Sequence, residues 1–179
     1  VYHCGKKIIR DEKAEIKPCP PYLKNTVHVS GFSEERLKLK HPGIKAHVIG
    51  MLERQIVTND MIEEVPWIEK NGQKFFVSDG EYQKIAVIER HKNTGKMGVG
   101  IVKGYGIRGG AIASSVSHDS HNIIVVGDND HDMMLAVKEL IRAQGGYVLV
   151  CDGEIYGTLP LPVMGLMSDA GYEKVNEAL

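Results

Sequence analysis

The chain has 179 residues, of which 42% are hydrophobic and 25% charged, as is typical of a soluble globular protein with one main domain. A formal net charge of −1 gives no reason to expect nucleic acid or an anionic membrane surface as a partner. No apolar run approaches the roughly 20 residues needed to span a bilayer. The three cysteines form no C-x-x-C pair, which argues against a disulfide framework or a zinc site and favours the cytoplasm.

The first 40 residues predict a hairpin, a linker and a helical turn. A strand is expected to turn at Gly5-Lys6 and to return through Ile8-Ile9. The prolines between positions 18 and 21 exclude a regular helix and predict an extended linker. Ser33 is a candidate N-cap for a short helical turn over residues 34–37.

The middle of the chain predicts mostly β-strands, because short apolar runs alternate with turn residues. Asn71-Gly72 is a two-residue hairpin signal, and 93–96 is a second turn. The predicted strands cover 47–51, 55–58, 75–77, 84–90, 97–103, 111–116 and 122–127.

The clearest helix is predicted over about 131–143, with one apolar face formed by Met133, Val137, Leu140 and Ile141. Asp130 is the expected N-cap, and two glycines end the helix. Strands at 147–151 and 155–159 and a short C-terminal helix within 169–179 follow. The predicted fold class is α+β: a strand-rich domain with a mixed or antiparallel β-sheet and few helices.

The most informative segment is 113–122, where hydroxyl, imidazole, carboxylate and amide side chains interrupt an apolar run. His118 and His121, with Asp119 between them, have the residue types that ligate a metal or move protons, since imidazole titrates near neutrality. The alternative is a polar turn whose side chains cap strand ends and bond locally. The residues alone leave both interpretations open.

Two further motifs favour structure over ligand binding. The segment Gly104–Gly109 matches G-x-G-x-x-G, but a strand is predicted after it, whereas dinucleotide binding requires a helix there. The acidic run 128–132 begins like a calcium loop, yet Met133 occupies the position that requires glycine. Helix capping explains the acidic run without a metal.

The segment Gly100–Gly127, which contains the Ser115–Asn122 loop, closely resembles the C-terminal region of bacterial-type adenine deaminases of the amidohydrolase superfamily. Asn129–Met133 and Leu159–Asp169 are similar to two further segments of that family. Val1–Lys6 looks like the strand with which amidohydrolases leave their small β-domain. The resemblance implies that residues 1–25 are the end of that domain and a linker, and that 26–179 form the C-terminal domain.

The resemblance implies that the full enzyme hydrolyses adenine to hypoxanthine and ammonia, in purine salvage. A divalent metal pair, manganese or iron, is expected in an N-terminal barrel. This chain has no H-x-H and too few residues for a barrel, so we expect it to hold no metal and to be inactive alone. The expected partners are its own barrel, adenine and further copies of the enzyme, and neither nucleic acid nor a membrane.

In this interpretation the Ser115–Asn122 loop reaches toward the barrel mouth. His118, Asp119 and His121 are the candidate catalytic residues, with the roles of acid and base unassigned. The other polar loop residues are expected near the substrate: Ser115, Ser117, Ser120 and Asn122. The rival hypothesis is a non-catalytic domain that stabilises the barrel or forms the oligomer interface, and a third is an independent metal-dependent enzyme.

Overall fold

The computed structural model describes residues 2–7, 18–40, 43 and 45–179. At its start, strands β1 (Tyr2–His3) and β2 (Lys6–Lys7) pair antiparallel, which confirms the predicted hairpin. The turn lies at Cys4-Gly5, one residue earlier than expected, since both of these residues adopt a positive φ. The predicted return strand at Ile8-Ile9 lies outside the described residues, and the domain boundary after residue 25 stays a prediction.

The elements after the linker follow the predicted order. Single 3₁₀ turns form at Pro21–Leu23 and Glu34–Leu37, and Ser33 precedes the second without a side-chain capping bond. The other elements are β3 (Lys45–Met51), β4 (Thr58–Glu64), β5 (Trp67–Lys70), β6 (Gln73–Phe76), β7 (Tyr82–Ile88), β8 (Met97–Lys103), β9 (Gly110–Ser114), β10 (Ile123–Gly127), α1 (Asp130–Arg142), β11 (Gly146–Cys151), β12 (Glu154–Pro160) and α2 (Tyr172–Ala178).

Eight of the described strands form one sheet in the order β12-β11-β9-β10-β7-β8-β3-β4, and β5 and β6 form a separate hairpin. Within the large sheet β3 pairs parallel with β8, and the other neighbours pair antiparallel. The sheet is therefore mixed, and together with two helices it confirms the predicted strand-rich α+β class.

Helix α1 covers one face of this sheet. The predicted apolar stripe is confirmed: Met133, Val137 and Leu140 are fully buried, and Ile141 packs against the same cluster. The sheet contributes side chains that alternate along each strand and so point to one face. These are Ala86, Ile88, Ala111, Ala113, Ile123, Val125, Val148 and Val150.

Two sequence predictions are wrong in detail. The N-cap of α1 is Asn129, whose side chain accepts a hydrogen bond from the Asp132 amide at 2.8 Å. Asp130 is instead the first helical residue, because its carboxylate pairs with the buried Lys84 of β7. The predicted strand at 55–58 is mostly turn, and β4 begins only at Thr58. As an edge strand, β4 needs few apolar residues, so its polar sequence gave no strand pattern.

Candidate functional site

The candidate loop, Ser115–Asn122, connects β9 to its antiparallel neighbour β10. Both strands lie inside the sheet, with β11 beside β9 and β7 beside β10. The loop therefore starts and ends on fixed positions. A site built on such strand ends is held more firmly than one on a free surface loop.

Ser115 points into the protein and not toward the loop surface. Its side chain is fully buried, and its Oγ donates to the Gly165 carbonyl at 2.5 Å and accepts from the Gly146 amide at 2.8 Å. Its own amide bonds to the Gly146 carbonyl. These contacts assign Ser115 to bracing the start of the loop, so it does not lie at the surface with the other candidates.

The other polar candidates close the loop on itself. Ser117 Oγ donates to the Asn122 carbonyl at 2.6 Å, and the Ser117 carbonyl accepts from the His121 amide at 2.7 Å. Ser120 Oγ accepts from the Asn122 amide at 3.3 Å. His121 adopts a left-handed backbone with φ 50°, which lets the chain reverse into β10.

The three candidate catalytic residues come together at the tip of the loop. The side chains of His118 and Asp119 are 87% and 85% exposed, and His118 Nδ1 contacts Asp119 Oδ1. The His118 and His121 rings meet edge to face with centroids 5.9 Å apart. His121 Nδ1 and Asn122 Oδ1 are buried atoms without a hydrogen-bond partner in the described residues. An imidazole with an adjoining carboxylate can exchange a proton with a bound molecule.

Arg90, which the sequence did not single out, holds the end of the loop. Its side chain is only 1% exposed, and Nε donates to the His121 carbonyl at 2.5 Å while a second guanidinium nitrogen donates to the Met164 carbonyl at 3.1 Å. Burial lowers the pKa of the guanidinium. Arg90 therefore joins the loop to the segment around Gly165.

Gly165 is the point where two of the segments that resemble adenine deaminases meet, Gly100–Gly127 and Leu159–Asp169. It adopts φ 71°, and a Cβ at this position would lie 2.8 Å from an Arg90 guanidinium nitrogen and 3.0 Å from its central carbon. A larger residue would displace the guanidinium or strain the backbone. Its carbonyl also accepts the Ser115 hydroxyl, so Gly165 holds the start of the loop and lies against Arg90, which holds the end.

A second support comes from the turn after β7. The Glu89 carboxylate accepts hydrogen bonds from three backbone amides, those of His91, Lys92 and Thr94, and from the Thr94 hydroxyl. These bonds lower the pKa of Glu89 to about 2, with the Thr94 amide as the largest cause. The ordered turn presents His91, whose Nε2 lies 2.9 Å from the Ser120 carbonyl.

Neither supporting residue carried a clear sequence signal. Glu89 and Arg90 lie at the end of a predicted strand, where charged residues usually mark only its exit into solvent. His91 is one of several histidines with no ligand spacing. A possible signal was the pair of charges directly after an apolar run, but the partners of Arg90 are 31 and 74 residues away in the chain, and those of Glu89 lie in the local turn.

The described residues contain no group of three or more His, Cys, Asp and Glu side chains that could hold a metal ion. His118, Asp119 and His121 thus do not fit the metal pair that the resemblance implies. That pair is expected in the N-terminal barrel.

The glycine-rich segment Gly104–Gly109 and the acidic run 128–132 contact each other in the fold. Asp128 accepts hydrogen bonds from the Gly109 amide at 2.5 Å and the Gly110 amide at 3.1 Å. The glycine loop leads into β9 and not into a helix. The amides of Gly109 and Gly110 therefore already have an anionic partner, where a phosphate would otherwise have to bind. None of the helices in the described part of the chain is long and apolar enough to cross a membrane.

Comparison with known proteins gives one consistent family. A family model described as "Adenine deaminase C-terminal domain" matches residues 55–179. The adenine deaminase of Desulfitobacterium hafniense (strain Y51) is 46% identical over 179 residues, which cover 100% of this chain and 31% of that protein. That of Nitratidesulfovibrio vulgaris (strain DP4) is 41% identical over 180 residues, covering 99% and 31%. The chain thus spans less than a third of the length of these curated relatives.

Proposed function

Because the chain belongs to the family of adenine deaminase C-terminal domains, we propose that it is the C-terminal part of an adenine deaminase. It acts together with an N-terminal catalytic region, which would occupy the part of the relatives' length that this chain does not span. The reaction is hydrolysis of adenine to hypoxanthine and ammonia. The chain by itself is expected to show no adenine deamination.

In this reaction water adds to the purine carbon that bears the amino group, and the bond from that carbon to the amino nitrogen breaks. The departing nitrogen must gain a proton before it leaves as ammonia. In the full enzyme the metal pair of the barrel would supply hydroxide at neutral pH. What this chain contributes is a set of side chains that bind the purine and hold or move protons.

The observation that carries the proposal is the exposed imidazole–carboxylate pair of His118 and Asp119 on a braced loop. An exposed pair in an unsupported loop would have no fixed direction. Here Ser115, Arg90 and the Glu89 turn fix the backbone on both sides of the tip. His118 and Asp119 are proposed as the groups that hydrogen-bond the purine or its departing nitrogen, with His121 beside them.

The path of the chain supports the same orientation. The described linker enters the domain beside the loop: the Leu23 carbonyl accepts from the Met164 amide at 2.7 Å, and the His28 amide donates to the Arg90 carbonyl at 2.9 Å. Lys24 pairs with Asp169 at 2.6 Å. A catalytic region that precedes this linker is thereby tethered on the side of the molecule that carries the loop.

The test replaces the matching segment of the Desulfitobacterium hafniense enzyme by this chain and introduces His118→Ala or Asp119→Asn. Both variants are expected to lower kcat about 10²- to 10⁴-fold, the usual contribution of a positioned proton-transfer group. Their melting temperature should stay that of the parent chimera, because both side chains are exposed. Steady-state kinetics and thermal denaturation measure the two quantities.

The chain offers a matched control. His47 and Asp60 form a second exposed imidazole–carboxylate pair, with Nδ1 and Oδ1 3.0 Å apart, on β3 and β4. His47→Ala and Asp60→Asn should leave kcat unchanged. Normal turnover of both loop variants would refute the catalytic role of the loop.

The second candidate function is a non-catalytic domain that packs against the barrel or forms the oligomer interface. A specific observation favours a packing role: several large apolar side chains of the main sheet are exposed, among them Val87 and Leu149. Two results together would favour this candidate. The loop variants would remain active, and the chimera would lose its fold or its assembly when this domain is removed.

A further inference from the structure

The face of the main sheet that points away from α1 is mostly apolar and partly exposed. Strand registers align its side chains in adjacent rows: Val87 lies opposite Ile124, and Leu149 lies opposite Ile112. Because side chains alternate along a strand, these positions cannot also face α1. The partly exposed apolar residues of this face, here called the open face, are Ile85, Val87, Ile112, Ile124, Tyr147 and Leu149, whereas Val126 and Ser114 on the same face are buried.

The open face is uncharged and smooth. Val87 and Leu149 are both 40% exposed, and the same rows end in glycines: Gly98 opposite Val87, and Gly157 opposite Leu149. A Cβ at either glycine would meet nothing within 4 Å. The registers place no Asp, Glu, Lys, Arg or His in these two rows. Contiguous apolar surface of this kind marks a contact site more often than solvent-exposed surface.

Part of this face is already covered by the protein itself, since Val126 between Ile85 and Ile112 is only 1% exposed. The glycine loop after β8 lies over one side of it, where the Gly106 amide bonds to the buried Gln83 side chain at 3.3 Å. At the opposite side Val116, the second residue of the candidate loop, lines a groove together with Tyr147 and residues of α2. The open face thus continues directly into the candidate loop.

We infer that the open face is the docking surface for the N-terminal catalytic region of the same enzyme. More than two thirds of the length of the matched relatives lies outside the segment that this chain covers, so these relatives carry a large body of protein besides this domain. The linker that would connect that body enters beside the loop at Leu23–His28. The linker itself packs on the α1 side through Val27, and a partner tethered at the loop reaches the open face because the two are continuous through Val116 and Tyr147. This inference rests on the proposed function.

The experiment measures the accessibility of the open face in the chimera with the Desulfitobacterium hafniense enzyme. Val87→Cys and Leu149→Cys are introduced singly into this chain and into the chimera, and alkylation of each new thiol by a maleimide is followed by mass spectrometry. Both thiols should react at least about tenfold more slowly in the chimera, because a thiol within a packed interface reacts only after local opening.

Ile56→Cys is the control, since Ile56 is fully exposed in the turn between β3 and β4. It should react at the same rate in both proteins. Equal rates for Val87→Cys and Leu149→Cys in chain and chimera would overturn the inference. So would slow labelling in the chain alone that becomes slower as its concentration rises, because the face would then dock a second copy.

The labelling does not depend on turnover, so the two proposals fail separately. A protected open face combined with active loop variants removes the catalytic role of the loop and keeps the docking surface. An unprotected open face combined with inactive loop variants removes the docking surface and keeps the catalytic role of the loop.

Discussion

Arg90 is a buried cation whose hydrogen-bond partners are backbone carbonyls. Removing a guanidinium from water is costly unless its donors are satisfied, and a rigid fork of donors can satisfy carbonyls on two separate segments at once. Here the two carbonyls belong to His121 and Met164, which are 43 residues apart in the sequence. The end of the candidate loop is thus joined to the Met164 segment by one side chain from a third part of the chain.

Ser115 makes a residue-scale prediction that separates bracing from substrate contact. Ser115→Ala removes one donor to the Gly165 carbonyl and one acceptor for the Gly146 amide, both in buried surroundings. The free energy of unfolding should fall by about 1–3 kcal/mol, the usual cost of leaving buried polar groups unpaired. Urea denaturation of the chain measures it.

Ser120→Ala is the control, because the exposed Ser120 hydroxyl makes a single long bond within the loop. Its effect should stay within about 0.5 kcal/mol. If Ser115→Ala were equally neutral, Ser115 would not brace the loop.

At the scale of elements, the turn from Glu89 to Thr94 is ordered by one carboxylate. Three amides converge on Glu89, and their combined bonds keep it ionised far below its ordinary range. The turn in turn positions His91 against the Ser120 carbonyl. The charge state of Glu89 is therefore coupled to the conformation of the neighbouring candidate loop.

This coupling predicts a pH dependence of stability. The pKa of Glu89 is lowered from 4.5 to about 2 by folding. Its stabilising contribution is therefore fully present above about pH 4.5 and is lost as the pH falls through about 2. The difference in unfolding free energy between the chain and Glu89→Gln should be largest at neutral pH and shrink between pH 4.5 and 2.

Chemical denaturation at several pH values measures this difference. Glu53→Gln is the matched control, because Glu53 is exposed and its carboxylate pairs with the neighbouring Arg54. A difference between the chain and Glu89→Gln that does not change over this pH range would contradict the assigned role of the Glu89 carboxylate.

At the scale of the whole molecule, two apolar clusters share the same pair of strands. Ala86 and Ile88 of β7 belong to the cluster under α1, whereas Tyr82 of β7 and Ile101 of β8 belong to a second cluster with Val48 and Phe76. The separate hairpin of β5 and β6 packs on this second cluster through Phe76. Because β7 runs through both clusters, neither can lose its packing without disturbing the other.

This shared packing predicts a single cooperative unfolding transition. The one tryptophan, Trp67, lies in β5 and reports on the second cluster, whereas circular dichroism follows α1 and the main sheet. The two signals should give the same urea midpoint, as expected for two-state unfolding. A fluorescence change that precedes the loss of α1 would show that the clusters unfold independently.

Local pattern was sufficient for much of this fold. The apolar face of α1, the Asn71-Gly72 turn and the strands at 97–103 and 147–151 follow from spacing, since each rests on contacts with near neighbours in the sequence. The polar strand β4 and the N-cap at Asn129 did not follow. An edge strand and the choice between adjacent capping residues depend on neighbours elsewhere in the fold.

The sequence by itself determined the class of the fold, the family and the segment that holds the candidate catalytic residues, because these depend on residue types and their order. Only the tertiary structure decided which loop residues brace and which are exposed, and it did so through contacts that Arg90 and Gly165 make across the chain. It also decided which face of the sheet is open, since the register of non-consecutive strands sets that face. Such contacts form between distant segments, and no short stretch of sequence encodes them.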